Sequence, residues 1–190
     1  KSNFHIKNNV TQDIFIERGG VVRKEVNVRW NNSAIYDPRK HLEILTDSDR
    51  FLYRAWTRIM APKGSEFTYS DGLEKSAIIG YDPKSYYSEN FNKQISDNVI
   101  WYDYRRNTPE DPPTSRELNV EYNLPEALNY QDLGVYRMLI QKHPGKRNEN
   151  HIINIHHKGN ITSRKIRLTR DKIVTYRDGV LMVENYDKTL

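Results

Sequence analysis

Cysteine is absent from the 190 residues. That excludes disulfide staples, thiolate metal ligands and cysteine nucleophiles, but it leaves the compartment open, because many exported proteins also lack cysteine. Long apolar runs are missing too. Nothing approaches the roughly 20 residues needed to cross a bilayer as a helix, and no charged-then-apolar leader opens the chain. Beginning at Lys1, the sequence reads as a piece of a longer protein whose targeting segment lies upstream. Glycine is sparse at 9 residues, whereas tyrosine reaches 13 and aromatics 11%, a composition too apolar and aromatic for disorder. A compact chain of this length buries roughly 70% of its unfolded-state surface, so a core forms without staples.

The motifs of common chemistries are missing as well. No G-x-S-x-G elbow, no G-x-x-x-x-G-K-S/T loop and no G-x-G-x-x-G turn occurs, so neither a familiar nucleophile nor a phosphate cradle is indicated and no cofactor is implied. Neither sign of charge dominates: 30 Lys and Arg against 25 Asp and Glu leave +5. That modest, dispersed excess permits attraction to nucleic acid, anionic wall polymers or membrane surface, although no nucleic-acid partner is expected. The densest basic stretch, "SRKIRLTR" from Ser163 to Arg170, puts Lys165, Arg167 and Thr169 on one face of a strand and Arg164, Ile166, Leu168 and Arg170 on the other, which reads as a solvated strand face, with a polyanion contact as the alternative.

What the chain does have is period-two alternation along most of its length, with no sustained 3.6 period. In "VTQDIFIER", Val10, Gln12, Ile14 and Ile16 alternate with Thr11, Asp13 and Phe15; Gly19-Gly20 then supplies a turn, and Val22, Val26, Val28 and Trp30 alternate with Arg23, Glu25 and Arg29. Further strands are expected at 51–60, 66–69, 75–80, 99–105, 118–124, 135–141, 152–157, 161–168, 172–176 and 180–184, punctuated by Pro62-Lys63-Gly64, Asp71-Gly72, Pro144-Gly145, Gly159-Asn160 and Asp178-Gly179. Leu42, Ile44 and Leu45 fit a single helical turn, and the Pro-rich "RRNTPEDPPTSRE" forbids a central strand there. The expected architecture is mainly β, an antiparallel β-sandwich-like fold with little helix, spanning 1–190 as one domain with a possible subdivision near 107–116. Its expected core is Ile14, Ile16, Val22, Val26, Val28, Trp30, Trp56, Trp101, Val120, Tyr122, Tyr136, Met138, Ile140, Ile153 and Ile155.

Candidate sites are few. His151, His156 and His157 come nearest to a metal cluster, but strand parity sends His156 to the face opposite His151 and His157, and the bland reading is surface or edge-strand histidines. Carboxylate pairs at Glu110-Asp111 and Asp47-Asp49 fall in polar loops, while Glu117 and Glu121 share a strand face about 13 Å apart at about 3.3 Å per residue, too far for a glycosidase pair. Tyr86, Tyr87, Trp101 and Tyr104 form aromatic clusters that suit either a stacking platform for sugar rings or packing against a sheet. No catalytic residue and no metal ligand is assigned.

The stretch "YRAWTRIMAPKGSEFTYSDG", Tyr53 to Gly72, followed by "LNVEYNLPEALNYQDLGVYRMLIQKHPGKRN", Leu118 to Asn148, resembles a bacterial family catalogued as domain of unknown function 4012. The shared features are an aromatic-basic strand, a Pro-Lys-Gly-Ser turn, a strand ending in Leu-Pro, and a Tyr-x-x-x-Ile-Gln-Lys-x-Pro-Gly strand and turn. The chain departs from that family at His143, where glutamine is commoner, and in the insert "HLEILTDSDRF". The resemblance covers most of 1–145 and implies the β-rich C-terminal part of an envelope protein, facing outward and anchored by an upstream membrane helix. It brings no activity and no site residues. The expectation is therefore a non-catalytic extracellular structural or interaction module whose partner is cell-wall glycan or a surface protein, touching the membrane only through a segment outside this chain. The rival expectation is a glycan- or anionic-polymer-binding module, or a hydrolase whose carboxylates and histidines converge from separate loops.

Overall fold

A computed structural model describes residues 6–32, 53–62, 64–71, 79–80, 93–102, 115–142 and 149–186; at 6, 32, 53–60, 79–80, 93–102 and 116 it describes the backbone alone. Strand β1 (Ile6–Ile16) and β2 (Val22–Asn32) form the expected hairpin, in register from Ile16↔Val22 outward. The Glu17 N–H donates to the Val21 carbonyl (2.8 Å) and the Gly20 N–H to the Glu17 carbonyl (3.0 Å), which closes the turn. Alternation then does what a pleated strand requires. Ile14, Ile16, Val22, Val26, Val28 and Trp30 are buried, and Arg23, Glu25 and Arg29 face out.

The remaining described strands are β3 (Tyr53–Ala61), β4 (Glu66–Asp71), β5 (Ile79–Gly80), β6 (Lys93–Tyr102), β7 (Ser115–Asn123), β8 (Tyr136–Ile140), β9 (Glu149–His157), β10 (Asn160–Leu168), β11 (Lys172–Arg177) and β12 (Val180–Asn185). They assemble into a six-stranded sheet ordered β10-β9-β1-β2-β7-β4 and two three-stranded sheets, β12-β11-β8 and β3-β6-β5. The protein is thus mainly β, with a second sheet over the first, as the alternation implies. One pairing departs from an all-antiparallel plan: β1 runs parallel to β9, with Ile14 opposite Ile155 and Ile16 opposite His157. A parallel pair needs a long connection between its strands, and more than 130 residues of chain separate these two.

Among the described residues, two clusters fill the interior. In one, Ile14, Ile16, Val22, Ile153, Ile155 and Leu168 of the large sheet meet Tyr136, Ile140, Val174, Tyr176 and Leu181 of the β8–β11–β12 sheet. Burying each such aliphatic side chain contributes about 1.5–3 kcal/mol. The other, around β2 and β7, comprises Val26, Val28, Trp30, Leu118, Val120 and Tyr122, with Ala61 from the end of β3. Leu118, Ile166, Leu168, Val174, Tyr176 and Leu181 join the expected core, while Met138 is only half-buried. The side chains of Trp56 and Trp101 lie outside the described residues.

Some expected boundaries move. β6 begins at Lys93 rather than 99, and β7 at Ser115. The β9–β10 turn is Lys158-Gly159, not Gly159-Asn160, because both of its residues sit at positive φ, 52° and 77°, the left-handed pair that a two-residue hairpin loop demands. Asp178-Gly179 (φ 50° and 81°) makes the same turn between β11 and β12, as expected. Between β7 and β8 the chain forms a 3-10 turn, Glu126–Leu128, and one α-turn, α1 (Tyr130–Leu133), which alternation did not signal. The expected turns at Asp71-Gly72 and Pro144-Gly145 and the helical turn at 42–45 lie wholly or partly outside the described residues.

Candidate binding site at the turn end

Because β1 and β9 are parallel, the β9–β10 turn arrives beside the β1–β2 turn, and the antiparallel partners bring α1 and the β11–β12 turn to the same end of the sandwich. Asn129 ties this end together. Its Oδ1 accepts from the Gln131 N–H (2.7 Å), capping α1, while its Nδ2 donates to the Gly19 carbonyl (2.8 Å). The Tyr130 N–H donates to the Gly20 carbonyl (2.8 Å) and the Gly134 N–H, at the left-handed C-cap, to the Tyr130 carbonyl (2.8 Å). A Cβ on Gly20 would stand 2.0 Å from Asn129 Oδ1, so the close approach of turn and helix requires glycine there.

These elements enclose a cleft of about 580 Å³ whose rim carries Glu17, Arg18, Gln131, Lys158 and Asp178. His157 lines it, with its ring edge-on to Tyr130 (centroids 5.0 Å, 69°) and to Tyr176 (5.7 Å, 78°). Its Nδ1 lies 3.1 Å from the Tyr176 hydroxyl, which fixes the ring's orientation. Burial, and to a lesser degree Lys158, holds the His157 imidazole below its usual pKa, so it is neutral at pH 7; burial, with Tyr130 beside it, pushes the Tyr176 phenol up.

A second cleft of about 320 Å³ adjoins the first and shares Ile16, Glu17, His157 and Lys158 with it. It continues onto the outer face of the large sheet, where Phe15, His156 and Ile161 stand opposite one another on adjacent strands. Arg23 lies 4.0 Å over the Phe15 ring, and Phe15 stacks on His156 at 4.3 Å and 16°. The row beneath is a hydrogen-bonded ladder. Asp13 Oδ1 accepts from His156 Nε2 (2.9 Å) and Asn154 Nδ2 (2.9 Å), and Ser163 Oγ donates to Asn154 Oδ1 (2.7 Å). A carboxylate only accepts, so the His156 proton sits on Nε2.

Strand parity places His151 and His157 inward and His156 outward as expected, and His156 and His157 are partly exposed, but the reading as a surface or edge histidine is corrected for His151. β9 is interior, paired to both β10 and β1, and His151 is buried. Its Nδ1 has no hydrogen-bond partner among the described residues, and burial holds its pKa down, with Glu149 raising it and Lys24 lowering it. Among the described residues, no three His, Cys, Asp or Glu side chains are placed to hold a metal ion. Glu117 and Glu121 face out and pair with β2: Glu117 lies 3.2 Å from Arg29, and Glu121 lies 3.6 Å from Arg23, which also bonds Glu17 and Glu25. On β10, Ile166 and Leu168 are buried while Lys165 and Arg167 are exposed. Tyr86, Tyr87 and Tyr104, with Glu110, Asp111, Asp47 and Asp49, lie outside the described residues, as does the side chain of Trp101.

Sequence reasoning missed the turn-end residues, and it also passed over Lys24. Parity puts this lysine on the inner face between Val22 and Val26, and there it is buried, 2.8 Å from Met138 Sδ and 5.9 Å from the Tyr122 ring centre. Burial pushes its pKa down to about 7. The alternation signal was available; the second sheet that seals the site was not. Fold and site together define a mainly β protein with a polar, ring-lined cleft at one end of its packed sheets. No protein-family model and no curated protein matches the chain.

Proposed function

We propose that this chain is a non-catalytic interaction module of a bacterial envelope protein, displayed outside the cell, that engages cell-wall glycan or a surface protein through its turn end. The observation that carries the reading is the convergence of three hairpin turns and a capped helical turn around one cleft. Turns on a rigid sandwich are where side chains are free of ladder duty and available to a partner. The outward location is supported by the resemblance of Tyr53–Gly72 and Leu118–Asn148 to the envelope family. The test is retention of the purified chain on insoluble cell-wall material. Replacing the exposed Gln131, Lys158 and Asp178 together, with Asn at the two left-handed positions, is expected to abolish retention without shifting the melting temperature. Unchanged retention would remove the turn end from the reading.

A hydrolase is the second reading, because Glu17, Asp178 and His157 do line one cleft. Its chemistry is disfavoured by partners already in place: Glu17 bonds Arg23 at 3.2 Å, and His157 Nδ1 meets the Tyr176 hydroxyl. New reducing ends or free amines released from wall material, and lost in a His157→Gln variant, would establish it over the binding module.

A further inference from the structure

We infer that the two adjoining clefts are consecutive subsites for neighbouring sugar units of a neutral glycan, an assignment that rests on the turn-end reading. Charge decides against a polyanion. The larger cleft is lined by Arg18 and Lys158 against Glu17 and Asp178, and the smaller by Lys158 against Glu17. Equal numbers of each sign give no net field to steer a charged polymer, whereas salt-dependent capture of a polyanion needs an excess of cations. His157 adds no charge, being neutral at pH 7.

The same lining matches a polyhydroxylated ring. A sugar presents an apolar C–H face and an edge of hydroxyls, each both donor and acceptor, so its site needs apolar surface interleaved with groups of both kinds. Gln131 and Asn160 offer an amide each, Asp178 a carboxylate and His157 the one ring nitrogen that Tyr176 leaves free, around Ile16, Tyr130 and the 64%-exposed Ile161. The site is also preorganised. Asn129 holds α1 against the β1–β2 turn, and Tyr176 orients His157, so little ordering entropy is lost on binding. Two volumes sharing Ile16, Glu17, His157 and Lys158 lie side by side, and a ligand that fills both must be at least a disaccharide.

The test is calorimetric titration with glucose and N-acetylglucosamine as monomers, dimers and tetramers, and with heparin as the anionic comparator, at low and high salt. Dimers are expected to bind at least about tenfold more tightly than monomers, with little salt dependence. Asn160→Ala with Ile161→Ser, both on exposed positions of the smaller cleft, should erase the dimer's advantage and leave monomer binding intact. Gln131→Ala with Asp178→Asn should remove both. Failure of every sugar to bind, or salt-sensitive binding of heparin alone, overturns the inference. If wall retention is still lost on altering the turn end, that failure leaves the turn-end reading standing; if retention survives, both fall.

Discussion

The two faces of the strands β10-β9-β1-β2-β7 carry titratable groups in opposite circumstances. Outside, Asp13, His156, Arg23 and Glu117 stand in ladders and ion pairs, each with a partner on a neighbouring strand. Inside, Lys24 and His151 are buried on the face that carries Ile14, Ile155 and Tyr122: among the described residues the lysine amine meets a thioether and a ring face, and one imidazole nitrogen has no partner. The same backbone alternation produced both faces. What separates them is the sheet laid over one face, which converts a polar side chain from a surface feature into a desolvation penalty. Outer-face groups therefore keep partners and solvent, and inner-face groups govern how stability responds to pH.

The comparison breaks most visibly if the covered face is charged. Ile140 sits in the shared core of the two sheets, 5% exposed, so Ile140→Asp is expected to abolish the cooperative thermal transition. A melt like the parent's would show that β8 does not seal the inner face.

Next in size is the effect of Lys24. Its amine loses its proton near pH 7 in the folded state but near 10.5 when unfolded, so between those values the unfolded chain holds more protons and raising the pH stabilises the fold, by an amount on the order of a few kcal/mol. Below about pH 7 the amine is charged in both states and the penalty is complete. His151, depressed below 6.5, adds a further loss of stability as the pH falls through that value. Above pH 10 the trend reverses, because burial raises the pKa values of Tyr122 and Tyr136, and the unfolded chain releases its phenolic protons first. Lys24→Met is expected to raise stability at pH 7 by about 1–3 kcal/mol and to flatten the rise toward pH 10. Denaturant midpoints across the pH range measure both, and a variant retaining the full slope would show that another group causes it.

A smaller loss is expected at the turn end. Asn129→Ala removes the α1 cap and the bond to Gly19 together and should cost about 1–2 kcal/mol, with amide exchange accelerating at Gln131 and Gly20 but not in the core. Smallest is the outer face itself. The half-exposed Arg29–Glu117 pair, 3.2 Å apart, should couple by about 0.2–1 kcal/mol in a double-mutant cycle and vanish in high salt. Coupling much larger than this would mean that the outer face is covered as well.

Much of this was legible along the chain. Val22, Val26, Val28 and Trp30 announced the inner face of β2, Tyr136 and Ile140 that of β8, and Asp178-Gly179 the β11–β12 hairpin, because side-chain parity and left-handed turns are local properties. The pair Gly19-Gly20 marked a turn but not its partner. That Gly20 must lie against Asn129, more than 100 residues away, is a fact of the folded molecule. The aromatic clusters chosen from composition, Tyr86, Tyr87, Trp101 and Tyr104, lie outside the described side chains. The rings that converge are Tyr130, His157 and Tyr176, which are dispersed in sequence and carry no local signature.

By itself, then, the sequence determined which residues alternate and where short hairpins reverse, since those follow from steric preferences within a few residues. Only the tertiary structure decided that β9 lies parallel to β1, and that single long-range pairing sets the Lys158-Gly159 turn beside the Glu17–Val21 turn and opens the clefts between them. It also decided that Lys24 is sealed from water, because burial depends on what covers a face, and no strand encodes its own cover.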